Sequence, residues 1–180
     1  MKKLATLIGL LVLVMLAGGI VSACNEGTKA EKYYTMGVEL HEDGYHDKAI
    51  DEYTKAIERD PILTEAYIAR STTYATMGDY DLAIADCTKA VELDPEFVLA
   101  YSNRGGVYYE KGEYDLAIAD YTKIIELDPD YVQVYGDRGF AYKAQGKKTE
   151  AIADLEYFIT LTDNPEWIEI AEREIEELSE

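Results

Sequence analysis

Few residues in this chain could do chemistry. It has two histidines and two cysteines among 180 residues. Both histidines lie in the stretch His41-Glu42-Asp43-Gly44-Tyr45-His46, where they are five positions apart. A helical zinc pair needs histidines four apart, so that both rings lie on one face. The extra residue, and a glycine that breaks the helix between the rings, argue against a metal site. Nucleophilic catalysis needs a base beside the nucleophile, and no histidine lies elsewhere. Carboxylates are plentiful, but among 36 Asp and Glu residues a close pair carries no information. Gly105-Gly106 lies in a helical pattern and lacks the strand and lysine of a phosphate loop. The expectation is no catalytic residue, no metal and no cofactor.

The charge balance points the same way. Asp and Glu outnumber Lys and Arg by 36 to 17, a net charge of −19. Nucleic-acid binding rests on Lys and Arg neutralising phosphates, so nucleic acid is excluded and a neutral to basic protein or peptide is the favoured partner. Much of the acidity is also simply a solvated helical surface.

Residues 1–23 read as a leader. Lys2 and Lys3 precede an apolar run from Leu4 to Ile20, followed by Val21-Ser22-Ala23-Cys24. A positive start, an apolar run and small residues before a cleavage point describe a secretory signal. The run is also nearly long enough to span a membrane uncleaved. Cys24 behind Ser22 and Ala23 resembles the lipobox of bacterial lipoproteins. The resemblance implies lipid attachment at Cys24, a membrane anchor and an extracytoplasmic protein. Asn25 lacks the Asp that retains such proteins at the inner membrane, which implies the outer membrane in a host with two. Residues 24–29 are then a short tether. At no more than about 3.6 Å per residue it holds the next element within roughly 20 Å of the lipid. Cys87, left without a disulfide partner, reads as a small buried hydrophobe.

The rest of the chain repeats itself every 34 residues. Tyr33, Tyr67, Tyr101 and Tyr135 fall in register, as do Gly44, Gly78, Gly112 and Gly146, and Ala49, Ala83, Ala117 and Ala151. Pro61, Pro95 and Pro129 continue the register. Period and anchors together resemble the tetratricopeptide repeat, in units 30–63, 64–97, 98–131 and 132–165. The resemblance implies an all-α, right-handed α-solenoid of helix-turn-helix pairs. Helices are expected near 30–43, 47–59, 64–77, 81–93, 98–111, 115–127, 132–145 and 149–161. Each glycine at position 15 of its unit ends a first helix by turning left-handed, and each Asp-Pro ends a second. Small residues at position 8 (Gly37, Ser71, Gly105, Gly139) let paired helices approach. Phe158 replaces the small residue of position 27, so no fifth repeat is expected. Instead Asn164-Pro165 signals a helix start, and Ile168, Ala171, Ile175 and Leu178 recur at helical spacing. Residues 166–180 read as the capping helix a solenoid requires.

Two further patterns run through the units. Position 7 is Arg70, Arg104 and Arg138, and position 23 is Asp86, Asp120 and Asp154; the first unit has Met36 and Glu52. The expectation is an Arg–Asp pair between the two helices of a unit, the alternative being that each arginine meets an acid of the adjacent unit. The family resemblance also places a concave protein-binding groove on the first helices. It passes to Tyr34, Val38, Ile68, Thr72, Asn103, Gly106, Tyr109, Phe140 and Lys143, with Ser102, Glu110, Gly136 and Asp137 at further groove positions. Some relatives clamp a partner's terminal carboxylate with Lys, Arg and Asn; here only Asn103 and Lys143 are of those types. The function implied is a membrane-anchored adapter or scaffold at the cell envelope, as in lipid-anchored repeat proteins that help assemble pili and outer-membrane barrels. The alternative is a self-associating structural lipoprotein.

Overall fold

The computed structural model describes residues 29–179. Residues 1–28, with the leader, Cys24 and most of the tether, lie outside the described residues, as does Glu180. Every regular element described is an α-helix. They are α1 (29–42), α2 (His46–Arg59), α3 (Thr64–Met77), α4 (Tyr80–Leu93), α5 (Val98–Lys111), α6 (Tyr114–Leu127), α7 (Gln133–Ala144), α8 (Lys148–Leu161) and α9 (Pro165–Ser179). These bounds fall within about a residue of the expected ones, except that α9 opens on Pro165, one residue inside the expected fourth unit. Asn164 Oδ1 caps it, accepting from the Glu166 and Trp167 amides at 3.0 and 3.4 Å. No described helix is long and apolar enough to cross a membrane.

The helix ends follow from the punctuation residues. Gly44, Gly78, Gly112 and Gly146 have φ of +79°, +83°, +82° and +74°, the left-handed region that costs glycine nothing. At each, the next residue's amide reaches back into the last turn, as Glu113 does to the Tyr108 carbonyl at 2.8 Å. The second helices stop at Asp60, Asp94 and Asp128, whose backbones turn away from helical geometry. Proline explains part of this, and the aspartate the rest. Each Oδ1 accepts the amide two residues on, Ile62, Glu96 or Asp130, at 3.2, 3.0 and 3.1 Å.

The chain divides into two compact units, up to Ala69 and from Arg70 onward. In the first, α1 packs on α2 through Gly37, where an added Cβ would lie 2.5 Å from the Tyr53 ring. In the second, each helix from α4 packs on the next, through to α8 against α9. Packing of each helix mainly on its sequence neighbours is the mark of a solenoid. Its core runs through Tyr101, Tyr121, Ile124, Val134, Tyr135, Leu155 and Phe158 to Ala171 and Leu178 of α9.

The expected Arg–Asp pairs form within units. Arg70, Arg104 and Arg138 each grip Asp86, Asp120 and Asp154 with two nitrogens, at 2.7–2.8 Å. The neighbouring unit is met as well, though through a hydroxyl and not an acid: Arg104 donates to Thr88 at 3.2 Å and Arg138 to Thr122 at 3.1 Å. In the first unit Glu52 instead pairs with Lys55 of its own helix at 2.6 Å.

Candidate functional site

The first helices of the repeats set the site. Their buried side is fixed by size matching between positions 8 and 24. Gly105 lies so close to Tyr121 that a Cβ would sit 2.7 Å from the ring, and at Gly139 one would sit 3.0 Å from Leu155. Where the first helix offers Ser71, its partner shrinks to Cys87, and the two side chains meet at 2.9 Å. Cys87 is fully buried, and burial pushes its thiol up to about 11. It is packing, as expected, and protonated at neutral pH. With this side committed, positions 6, 9 and 12 of each first helix, and position 5 where it is Tyr34 or Ser102, are left on the other side.

In the Arg70–Glu180 unit those positions line a run of linked hollows. Thr72, Ala75, Leu99 and Asn103 border one of about 460 Å³. It shares Ser102, Gly106 and Glu110 with a second of about 380 Å³, completed by Tyr109, Tyr121, Asp137 and Phe140. Asp137 and Phe140 also border a third, of about 310 Å³, walled by Phe158, Thr162, Asp163 and Trp167. The sequence-expected Thr72, Asn103, Gly106, Tyr109 and Phe140 therefore come together on one surface. Tyr109 is steadied edge-on by Tyr114, with ring centres 5.4 Å apart. Gly106 is open: a Cβ there would meet nothing within 4 Å.

The electrostatics of this surface are acidic. Asp137 is exposed by surface area, yet it stands inside a hollow whose walls withhold water, and that desolvation pushes its carboxyl up to about 6. Lys143 is the exception in sign, but it is engaged. Its ammonium binds Glu174 and Glu177 of α9, the latter at 2.9 Å, and these contacts raise its pKa. Asn103 donates its amide to the Leu99 carbonyl at 2.9 Å. Both residues of clamp type are thus occupied within the chain.

In the unit ending at Ala69, Tyr34 and Val38 are half-buried, Tyr34 resting against Tyr53 with ring centres 6.1 Å apart. Ile68 is only 6% exposed and serves the core, because its helix is covered at that position. His41 and His46, expected not to share a helix face, have ring centres 5.1 Å from one another, since the tight glycine turn folds α2 back beside the end of α1. Among the described residues no group of three or more metal-type side chains forms. Sequence reasoning missed Tyr121, Phe158 and Trp167 as walls. Bulky Phe158 at a position of small residues was the available signal.

Comparison with known proteins agrees with this architecture. The family described as "TPR repeat" matches residues 72–112 and 105–146, and "Tetratricopeptide repeat" matches 30–62 and 132–164. No curated protein matches the chain. Among solved structures, the first TPR domain of Spaghetti (RPAP3) bound to the HSP90 peptide SRMEEVD is 28% identical, with a TM-score of 0.64 over 67% of this chain and 95% of that one. MamA is 26% identical, with a TM-score of 0.72 over 85% and 87%. PilF of Pseudomonas aeruginosa, 22% identical, shares the fold with a TM-score of 0.74 over 86% and 69%. The repeating glycines, the size-matched helix pairs and the two matching families lead to one assignment: the chain is a tetratricopeptide-repeat protein.

Proposed function

We propose that this protein is a lipid-anchored adapter of the cell envelope that holds a segment of another protein along the hollows of α3, α5 and α7. The observation that carries the binding role is a contrast within each repeat. The buried positions repeat, while those lining the hollows (Thr72, Asn103, Gly106, Tyr109, Phe140) vary freely. Repeat scaffolds use such surfaces to bind extended or helical segments. The RPAP3 domain, in a complex of the same fold, holds a peptide. An acidic peptide of that kind does not suit this surface: the lysine expected in the groove, Lys143, is tied to α9, and Glu110, Asp137 and Asp163 border the hollows. A neutral to basic segment suits it.

The anchor rests on the leader and Cys24. Lipidation there, with further acylation of the new amino terminus, supplies the two or more chains that stable membrane binding needs. Asn25 favours the outer membrane where the host has two.

The test is affinity capture from crosslinked membranes of the native host, with tagged full-length protein beside a Tyr109→Ala, Phe140→Glu variant shown by circular dichroism to remain helical. A partner held by the parent and released by the variant is the expected result. Equal capture by both, or capture of the bait alone, would remove the hollows from the interaction and leave self-association as the reading.

A further inference from the structure

The middle hollow has a chemistry of its own. Asp137 projects into it with no hydrogen bond or ion pair among the described residues, and Glu110 borders it. Three aromatic residues, Tyr109, Tyr121 and Phe140, line it. The one basic residue among the expected groove residues, Lys143, is held by Glu174 and Glu177. So a carboxylate sits partly dewatered beside these rings with no cation paired to it among the described residues. An anionic ligand would be repelled. A purely apolar one would complete the burial of an unpaired charge, which is costly. A metal ion would want three or more protein ligands, and no such cluster forms among the described residues. A long basic side chain meets every condition. Its aliphatic stem packs on rings, its charge is attracted to ring faces, and its donors satisfy the carboxylate. The planar guanidinium does this better than an ammonium, because it can stack and pair with both carboxylate oxygens at once.

The adjoining hollow constrains the neighbour of that side chain. It shares Asp137 and Phe140 but is walled by Phe158 and Trp167, and Trp167 is half exposed. An apolar side chain placed there would cover exposed aromatic surface.

Resting on the adapter reading, we propose that the partner segment presents an arginine to the Asp137 hollow, its stem between Tyr109 and Phe140, with a nearby apolar residue entering the Trp167 hollow. This is the opposite polarity to a carboxylate clamp.

The experiment is a selection of randomised twelve-residue displayed peptides on the full chain, followed by affinity measurement with the synthetic winners. Peptides enriched in arginine at one position, bound by the parent and lost with Tyr109→Ala, Phe140→Glu, are expected. Replacing that arginine by citrulline, which keeps the shape and removes the charge, is expected to weaken binding roughly ten- to hundredfold, and Asp137→Asn to do the same. Trp167→Ala is expected to erase the apolar preference beside it. The citrulline comparison uses the unaltered protein, so a folding defect in a variant cannot decide the matter. Peptides that need the hollows but show no basic preference, or tolerate citrulline, would overturn this proposal and leave the adapter reading standing. A selection that yields no hollow-dependent peptide would overturn both.

Discussion

Two adjacent glycines in α5 carry opposite obligations. Gly105 faces Tyr121, which is 4% exposed and has nowhere to move. Gly106 faces open space. Gly105→Ala should therefore lower stability by about 1–3 kcal/mol through overpacking. Gly106→Ala should raise it by about 0.5–1 kcal/mol, because alanine loses less backbone freedom in a helix. Urea unfolding of the two variants checks both signs. Asp137 makes a second residue-scale prediction. Its carboxyl is pushed up to about 6 in the fold, against about 3.9 in an unfolded chain. Between those values the folded state binds the extra proton, so the group's contribution to stability worsens as pH rises through that window. Asp137→Asn should thus raise the melting temperature at pH 7.5 and leave it nearly unchanged at pH 4. Glu110 and Asp163 border the same hollows, but desolvation alone raises the Asp137 carboxyl. A site that is less stable for holding its charge gains from a partner that brings the opposite one.

At the scale of elements, the sequence was a good guide wherever one residue type dictates one local geometry. Glycine at position 15 and Asp-Pro at the unit boundary placed seven helix ends within about a residue, and the Arg–Asp register gave the pairs inside units. It was a poor guide wherever geometry depends on contact between elements. The tyrosines and prolines of the register were visible, but not that they touch. Tyr67, Tyr101 and Tyr135 donate their hydroxyls to the Pro61, Pro95 and Pro129 carbonyls at 3.3, 3.2 and 3.1 Å, fastening the start of one repeat to the end of the one before. Nor did spacing reveal that Thr88 and Thr122 would accept from the arginines. The same holds for the site. Thr72, Gly106, Tyr109 and Phe140 were legible from their repeat positions. Ile68 and Lys143 were not, because burial and the α9 carboxylates depend on packing. Arg104 stands where two such contacts meet. Arg104→Met would strand the carboxylate of Asp120, only 5% exposed, and the Thr88 hydroxyl. Removing one member of a buried pair costs about 3–5 kcal/mol, and a thermal melt showing an unchanged midpoint would refute the role assigned to it.

For the molecule as a whole, two features act together. A net charge of −19 favours solubility and, in the proposed role, attraction of basic partners, while the proposed anchor fixes where that attraction operates. Cys24→Ser tests the anchor directly. Radiolabelled palmitate should enter the parent and not the variant, and the variant should retain its uncleaved leader on a denaturing gel. Label in the variant would place the modification elsewhere.

The matching of position 8 to position 24 has a bearing on inheritance. Gly37 goes with Tyr53, Ser71 with Cys87, Gly105 with Tyr121 and Gly139 with Leu155. A crossover in the gene that splits the second repeat and joins it to the first or third would couple a serine to a tyrosine that needs glycine, or a glycine to a cysteine too small to meet it. A crossover at the Asp-Pro boundary keeps every couple intact. The gene can lengthen or shorten by whole repeats and stay readable as a fold, while a breakpoint at a glycine turn that joins half of the second repeat to half of another produces a mismatched pair. The packing of one glycine against one ring thus sets the grammar by which this gene can recombine.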